Sequence, residues 1–204
     1  MSISRKVFYD SIGQSVFDGS PSPVALENME IILDYWFEKH AKRPLDQLAY
    51  ILATVRREVG SNMAPVRETF AKSDDEARAK LAARAYAQAA GEHGHAYYGR
   101  GYVQLTWLRN YERQQKKLGI PIVENPDLAL SAEHAINILV EGMLEGDFNE
   151  QGHGLGHYVN ETRQDFFEAR RTVNMLDHAE EIAGNARAFL EALTLAKIAV
   201  SPES

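Results

Sequence analysis

The sequence predicts a mainly α protein with one minor extended segment. Three observations predict it. Helical periodicity recurs along most of the 204 residues, no internal repeat or Gly/Ser/Pro-rich linker interrupts it, and only residues 97–106 break the pattern. A chain of this length is long enough for one well-buried core and short for two, so a single domain over 1–204 is expected.

The first strong helical pattern covers 23–40. Val24, Met29, Ile32, Leu33, Trp36 and Phe37 recur at helical spacing after the breaker Ser20-Pro21-Ser22-Pro23. After Pro44, residues 44–59 repeat Leu45, Leu48, Leu52 and Val55. Residues 73–90 are Ala-rich and charged, with Ser73 as N-cap and Asp74, Asp75 and Glu76 in the first turn, which predicts a third helix. A helix follows over 107–118. Ser131 and Glu133 open another over 131–145, with Ile136, Leu139 and Met143 on its apolar face. The stretch Gly146 to Gly156 reads as a loop, and two more helices are expected at about 162–175 and 178–198.

The exception is Tyr97-Tyr98-Gly99-Arg100-Gly101-Tyr102-Val103-Gln104-Leu105-Thr106. It is aromatic and β-branched with two close glycines, which predicts a short strand or extended turn.

Composition excludes several functions. The net charge of -7 disfavours non-specific nucleic-acid binding. The absence of cysteine removes disulfides, thiolate metal sites and cysteine nucleophiles. No run reaches the roughly 18 apolar residues of a membrane span. Asp10, Gln14 and Asp18 interrupt any signal-peptide core. Cytoplasmic synthesis without a secretion address is therefore the expectation. There is no Gly-x-Ser-x-Gly elbow, Walker loop, Rossmann glycine pattern or sustained heptad.

Two glutamates stand out. Glu58 ends the 44–59 helix before Gly60, at i+3 from Val55 and i+6 from Leu52, on the apolar face or its margin. A surface glutamate is the commoner occupant of such a position, but a carboxyl half-sunk among apolar groups would gain proton affinity, as a general acid requires. Glu68 follows ten residues later, where a loop acid paired with Arg67 is the plain alternative. Together they supply the two carboxyls of glycosidic hydrolysis, one protonated for the leaving oxygen and one ionised for water.

Tyr97, Tyr98 and Tyr102 offer flat faces for sugar rings, and Gln104, Thr106 and Asn110 offer directional groups for hydroxyls and N-acetyl groups. A buried strand with incidental polar ends is the other reading. Arg100, between two glycines, is expected to be a structural donor.

Tyr-Tyr-Gly-Arg-Gly-Tyr-Val-Gln-Leu-Thr-Trp at 97–107, followed by Asn110-Tyr111, resembles the signature of family 19 chitinases and their phage-endolysin relatives. Leu48 to Glu68 is similar to that family's catalytic helix and loop. Asn125-Pro126-Asp127-Leu128-Ala129 and Ala169-Arg170-Arg171-Thr172-Val173-Asn174 resemble stretches of the endolysin branch. The similarity spans about 25–195, with 71–92 least family-like.

The resemblance implies a two-lobed, lysozyme-like fold whose cleft is walled by the 44–59 helix and the Tyr97 segment. It implies Glu58 as general acid, Glu68 as the base activating water, and Thr106 holding that water. Gln104, Asn110 and Asn174 are the implied sugar contacts, beside Tyr98, which its ring alone suggests. It implies inversion, with the carboxyls roughly 6.5–9.5 Å apart. The expected substrate is bacterial peptidoglycan, cut at β-1,4 bonds beside N-acetylhexosamines by a monomeric endolysin. No metal or organic cofactor is expected, and the enzyme would reach the wall through a holin-type opening.

A chitinase of the same mechanism is the alternative. A non-hydrolytic wall-binding protein is another, because Arg57-Glu58-Val59 replaces the family's usual His-Glu-Thr. A guanidinium touching Glu58 would oppose a general acid, although adjacent helical residues point about 100° apart. His153 and His157 have the i, i+4 spacing of a zinc pair, which keeps a zinc amidase as a third rival, but Gly152, Gly154 and Gly156 oppose a helix there.

Overall fold

The computed structural model describes residues 3–199. Its helices are α1 (Arg5–Ser15), α2 (Pro23–Lys39), α3 (Leu45–Val59), α4 (Asp74–Lys80), α5 (Leu108–Leu118), α6 (Ala132–Glu145) and α7 (Ala179–Ile198). Its strands are pairs of residues: β1 (Val66–Arg67), β2 (Ala89–Ala90), β3 (His95–Ala96), β4 (Arg100–Gly101), β5 (Val159–Asn160) and β6 (Arg163–Gln164). The mainly α class is as expected. No helix among the described residues is long and apolar enough to cross a membrane. The residues group into two compact units, one built from the chain up to Met63 and from Met143 onward, the other from Ala64–Gly142.

The first unit is organised around α3. Leu48, Ala49, Ile51, Leu52 and Val55 are all fully buried, and each large aliphatic among them contributes about 2 kcal/mol relative to exposure. α3 packs on α7, which presents Ala179, Ala183, Ala186, Ala192 and Ala196 on its buried side. Small side chains let helix axes approach closely. α2 starts where expected, with Pro23 in its first turn and the Ser22 hydroxyl accepting from Ala25 N at 3.1 Å.

α1 was not foreseen. Ser4 caps it, Phe8 and Ile12 bury one face at i, i+4 spacing, and Phe8 stacks on Phe189 of α7 at 6.3 Å. Residues 162–175, expected as a helix, form instead a β5–β6 hairpin and a 3-10 turn over Glu168–Thr172. The cause is local. Asn160 Oδ1 accepts from the N–H groups of Thr162 and Arg163, and Asp165 Oδ1 accepts from Glu168 N, which diverts the backbone from a helical ladder.

In the second unit β1 pairs antiparallel with β4, Val66 opposite Gly101 and Arg67 opposite Arg100. The extended segment is therefore shorter than expected, only Arg100–Gly101. It turns back on itself, because Arg100 and Leu105 exchange backbone hydrogen bonds at 3.3 and 3.0 Å. Gly101 has φ +83°, and a Cβ there would lie 2.6 Å from Ala129 O, so the position excludes any side chain.

The 73–90 helix stops at Lys80. Gln88 Nε2 donates to the carbonyls of Ala82 and Arg84, and Leu81 and Ala87 pack with Ala71, Ala77, Ala96 and Tyr98. That satellite cluster overrides the helix propensity of the alanines.

Arg100 is the hub of this unit and is only 2 % exposed. Its Nε donates to Asp127 at 2.9 Å, its Nη2 to Asp74 at 3.0 Å and its Nη1 to Ala96 O at 2.9 Å, while its guanidinium lies 3.7 Å from the Tyr98 ring centre. It is the structural donor expected. Arg67 also pairs with Asp127 rather than with Glu68. Replacing Arg100→Met should cost about 3 kcal/mol, since a buried charge pair loses one partner. Urea denaturation followed by circular dichroism measures this, and a loss below about 1 kcal/mol would deny Arg100 that role.

Candidate functional site

In the second unit the Glu68 carboxylate is held on both oxygens. Glu68 follows β1 directly and opens a 3-10 turn over Glu68–Phe70. Its Oε2 accepts from Gly99 N at 2.9 Å, its Oε1 from the Tyr86 hydroxyl at 2.7 Å, and its own N–H donates to Gly99 O at 2.7 Å. A Cβ on Gly99 would stand 3.1 Å from Glu68 Oε2 and 2.8 Å from Gln104 Oε1. The glycine is thus required by the approach of these two side chains.

Three of the polar candidates share this unit. Gln104 takes a left-handed φ of 54°, and its Nε2 donates to Val66 O and Gly101 O, both at 3.0 Å. Both amide hydrogens are committed, so its Oε1 is the group left for a ligand. The Thr106 hydroxyl donates to Gln104 O at 3.0 Å, which leaves its lone pairs to accept. Asn110 Nδ2 donates to Thr106 O at 2.7 Å.

The tyrosines behave otherwise than expected. Tyr98 is fully buried, its hydroxyl on Asp74 Oδ1 at 2.8 Å, and burial raises its phenol to about 12. Tyr97 and Tyr102 are each 1 % exposed. None of the three offers a face to a sugar, and Tyr98 is removed from the substrate contacts. The Tyr98 ring covers the Arg100 guanidinium, and Tyr97 packs edge to face on Tyr111. The exposed aromatics of this unit are Trp107, at 43 % and with φ 71°, and Phe70, at 66 % and with φ 53°. Sequence reasoning assigned neither a role, although Trp107 ends the signature run.

In the first unit Glu58 lies near the end of α3 with its side chain 18 % exposed. Its Oε1 accepts from Arg170 Nη1 at 2.7 Å, and Arg170, itself 3 % exposed, also donates from Nε to Asp177 O at 2.9 Å. The surroundings are therefore not simply apolar, as the sequence suggested. The contacting guanidinium is Arg170, not the neighbour in sequence. Arg57 pairs with Glu181 of α7 at 3.3 Å, and Val59 is buried in the core. Tyr50, beneath the pair, stacks on Phe166 at 5.9 Å, and burial pushes its phenol well above its ordinary range.

Asn174 is exposed in this same unit. Its N–H donates to Arg170 O at 3.0 Å and its Oδ1 accepts from Met175 N at 2.8 Å. Glu58 and Asn174 thus belong to one unit, and Glu68, Gln104, Thr106 and Asn110 to the other. His153 and His157 stack ring on ring at 4.0 Å. Among the described residues no three His, Cys, Asp or Glu side chains are grouped to hold a metal ion.

Residues 54–140 match the glycoside hydrolase family 19 sequence family, chitinase class I. An endochitinase of Arabidopsis thaliana is 31 % identical over 126 residues, 59 % of this chain and 40 % of the endochitinase. A second endochitinase of that plant is 49 % identical over 35 residues, 17 % of this chain and 12 % of the relative. The matches thus span well under half the length of these curated relatives. A crystal structure of a chitinase C mutant shares the fold with a TM-score of 0.57 at 17 % identity, covering 96 % of this chain and 76 % of that one. Chitinase C of Streptomyces griseus gives 0.55 at 19 % identity, covering 94 % and 92 %. The family resemblance and the mainly α fold read from the sequence agree with these matches.

Two outcomes follow from the geometry. Gly99→Ala should displace the Glu68 and Gln104 side chains, because a Cβ there would stand 3.1 and 2.8 Å from their oxygens, and a crystal structure of the variant checks it. Arg57→His should leave the pH–rate profile unmoved, since Arg57 is engaged with Glu181. A displaced limb would show that it acts on Glu58 after all.

Proposed function

We propose that this chain, a family 19 relative across residues 54–140, is a glycosidase that cuts β-1,4 bonds next to N-acetylhexosamines in bacterial peptidoglycan. The observation that carries the reading is the Glu68 carboxylate, fixed on both oxygens beside Gln104 and Thr106 within the matched segment. A general base needs an oriented oxygen and a water with one path of attack.

Glu68 accepts one proton of that water. Thr106, whose own hydrogen is spent on Gln104 O, accepts a hydrogen bond from the O–H that the water keeps, and the water's lone pair is left for the anomeric carbon. Glu58 is the general acid. Arg170 orients it through Oε1, although a guanidinium so placed works against an acid's role, and Oε2 is the oxygen assigned to the leaving group. Gln104 Oε1, Asn110 and Asn174 receive the sugar's hydroxyl and N-acetyl groups. Attack by water opposite the leaving group inverts the anomeric centre. No step calls for a metal or an organic cofactor. A monomeric endolysin released through a holin-type opening is the biological setting that fits this substrate.

Chitin is the second reading, and the specific observation for it is that the plant relatives carry the name endochitinase. Purified peptidoglycan and N-acetylglucosamine hexamer, digested in parallel and analysed by mass spectrometry, separate the two. Glu58→Gln and Glu68→Gln should each reduce turnover roughly 10²–10⁴-fold while binding persists. Proton NMR of the first product should show the α anomer. Wall binding without product, unchanged by either substitution, would identify a non-hydrolytic binder instead.

A further inference from the structure

Residues 71–92 lie between Glu68 and the Tyr97 segment and reach Glu68 through one side chain. Tyr86 sits in a 3-10 turn, Ala85–Ala87, and its hydroxyl donates to Glu68 Oε1 at 2.7 Å. Burial, and secondarily the bond to Glu68, raises this phenol to about 12, so the hydroxyl keeps its hydrogen throughout the neutral range. Gly99 N occupies the other carboxylate oxygen. With a donor on each oxygen the carboxylate cannot rotate without breaking one of them.

The turn that carries Tyr86 is itself braced. Ala87 N donates to Arg84 O at 3.1 Å, Gln88 ties back to Ala82 O and Arg84 O, and Tyr86 packs against the cluster of Ala71, Ala77, Leu81, Ala87, Ala96 and Tyr98. Its ring also meets the half-exposed Trp107 edge to face, 5.6 Å between centres at 70°. One side chain therefore touches both the carboxylate and an aromatic open to ligand.

We propose that Tyr86 is a positioning residue for Glu68, fixing its carboxylate for the attacking water and bracing Trp107 beside it. The inference rests on Glu68 being the base. It gives the 71–92 segment a task within the second unit that a surface insertion would not have.

Tyr86→Phe tests it, because the ring, its packing and its contact with Trp107 are retained and only the donor is lost. On purified peptidoglycan and on N-acetylglucosamine hexamer, kcat should fall about tenfold with KM within about twofold, the size expected for one hydrogen bond to a charged group. The Tm should move by no more than about 2 °C. Tyr86→Leu should raise KM as well, through Trp107. In the Glu68→Gln background, Tyr86→Phe should add nothing to the loss.

A Tyr86→Phe enzyme with wild-type kcat overturns the proposal, and an inactive Glu68→Gln enzyme in the same assay then leaves the base assignment standing. A fully active Glu68→Gln enzyme overturns both. A fall in kcat that adds independently in the double variant, or that comes with a large loss of Tm, makes Tyr86 merely structural and also overturns it.

Discussion

The second unit depends on burying one arginine. Removing a guanidinium from water costs several kcal/mol, and the cost is offset only when charge and hydrogen bonds are supplied together. For Arg100 the charge comes from Asp74 and Asp127, the neutral acceptors are Ala96 O and Tyr98 O, and the apolar lid is the Tyr98 ring. Those partners come from α4, from the 3-10 turn Pro126–Leu130, and from β3 and the residues between it and β4, so one side chain fixes three separate pieces of backbone. Because β4 is held there, Gly99 beside it presents its N–H to Glu68. The acid's geometry is thus a consequence of the arginine's solvation.

The two carboxylates are held by opposite means. Glu68 is met by neutral donors on both oxygens, an arrangement that orients without bringing a formal charge. Glu58 meets a buried cation on one oxygen and has the other left over. Two chemically identical groups are thus set in different surroundings, a tyrosine and a glycine in one unit and an arginine in the other.

How legible this was depends on the range of the forces involved. α2, α3 and α7 were readable because Ser22-Pro23, Pro44 and long apolar stripes act locally. α1 is equally local, with Ser4 as its cap and Phe8 and Ile12 on one face, but its two apolar residues make too short a stripe to stand out by periodicity. The lost helices at 81–90 and 162–175 fell to side chains that take backbone groups, Gln88 in one case and Asn160 and Asp165 in the other. Glu58, Glu68, Gln104 and Thr106 stood out through residue type and resemblance. Arg170 did not, although it lay within a family-like stretch, because only the fold brings residue 170 to residue 58. Arg57 misled for the same reason, since adjacency in sequence is not contact on a helix.

The aromatic residues show where residue type stops being informative. Tyr97, Tyr98 and Tyr102 look suited to stacking on sugars, yet all are buried, whereas Trp107 and Phe70 are exposed. Backbone conformation separates the two groups. Among the described residues six non-glycine positions have positive φ, and four of them, Thr69, Phe70, Gln104 and Trp107, fall in the second unit. Two follow Glu68 directly, and the other two flank Leu105 and Thr106. Each such conformation costs of order 1–3 kcal/mol and survives only where surrounding structure enforces it. Four such costs fall in one unit, two of them directly after Glu68, and its packing must offset them. The other two are the expense of holding Gln104 and Trp107 in orientations that a relaxed turn would not give them.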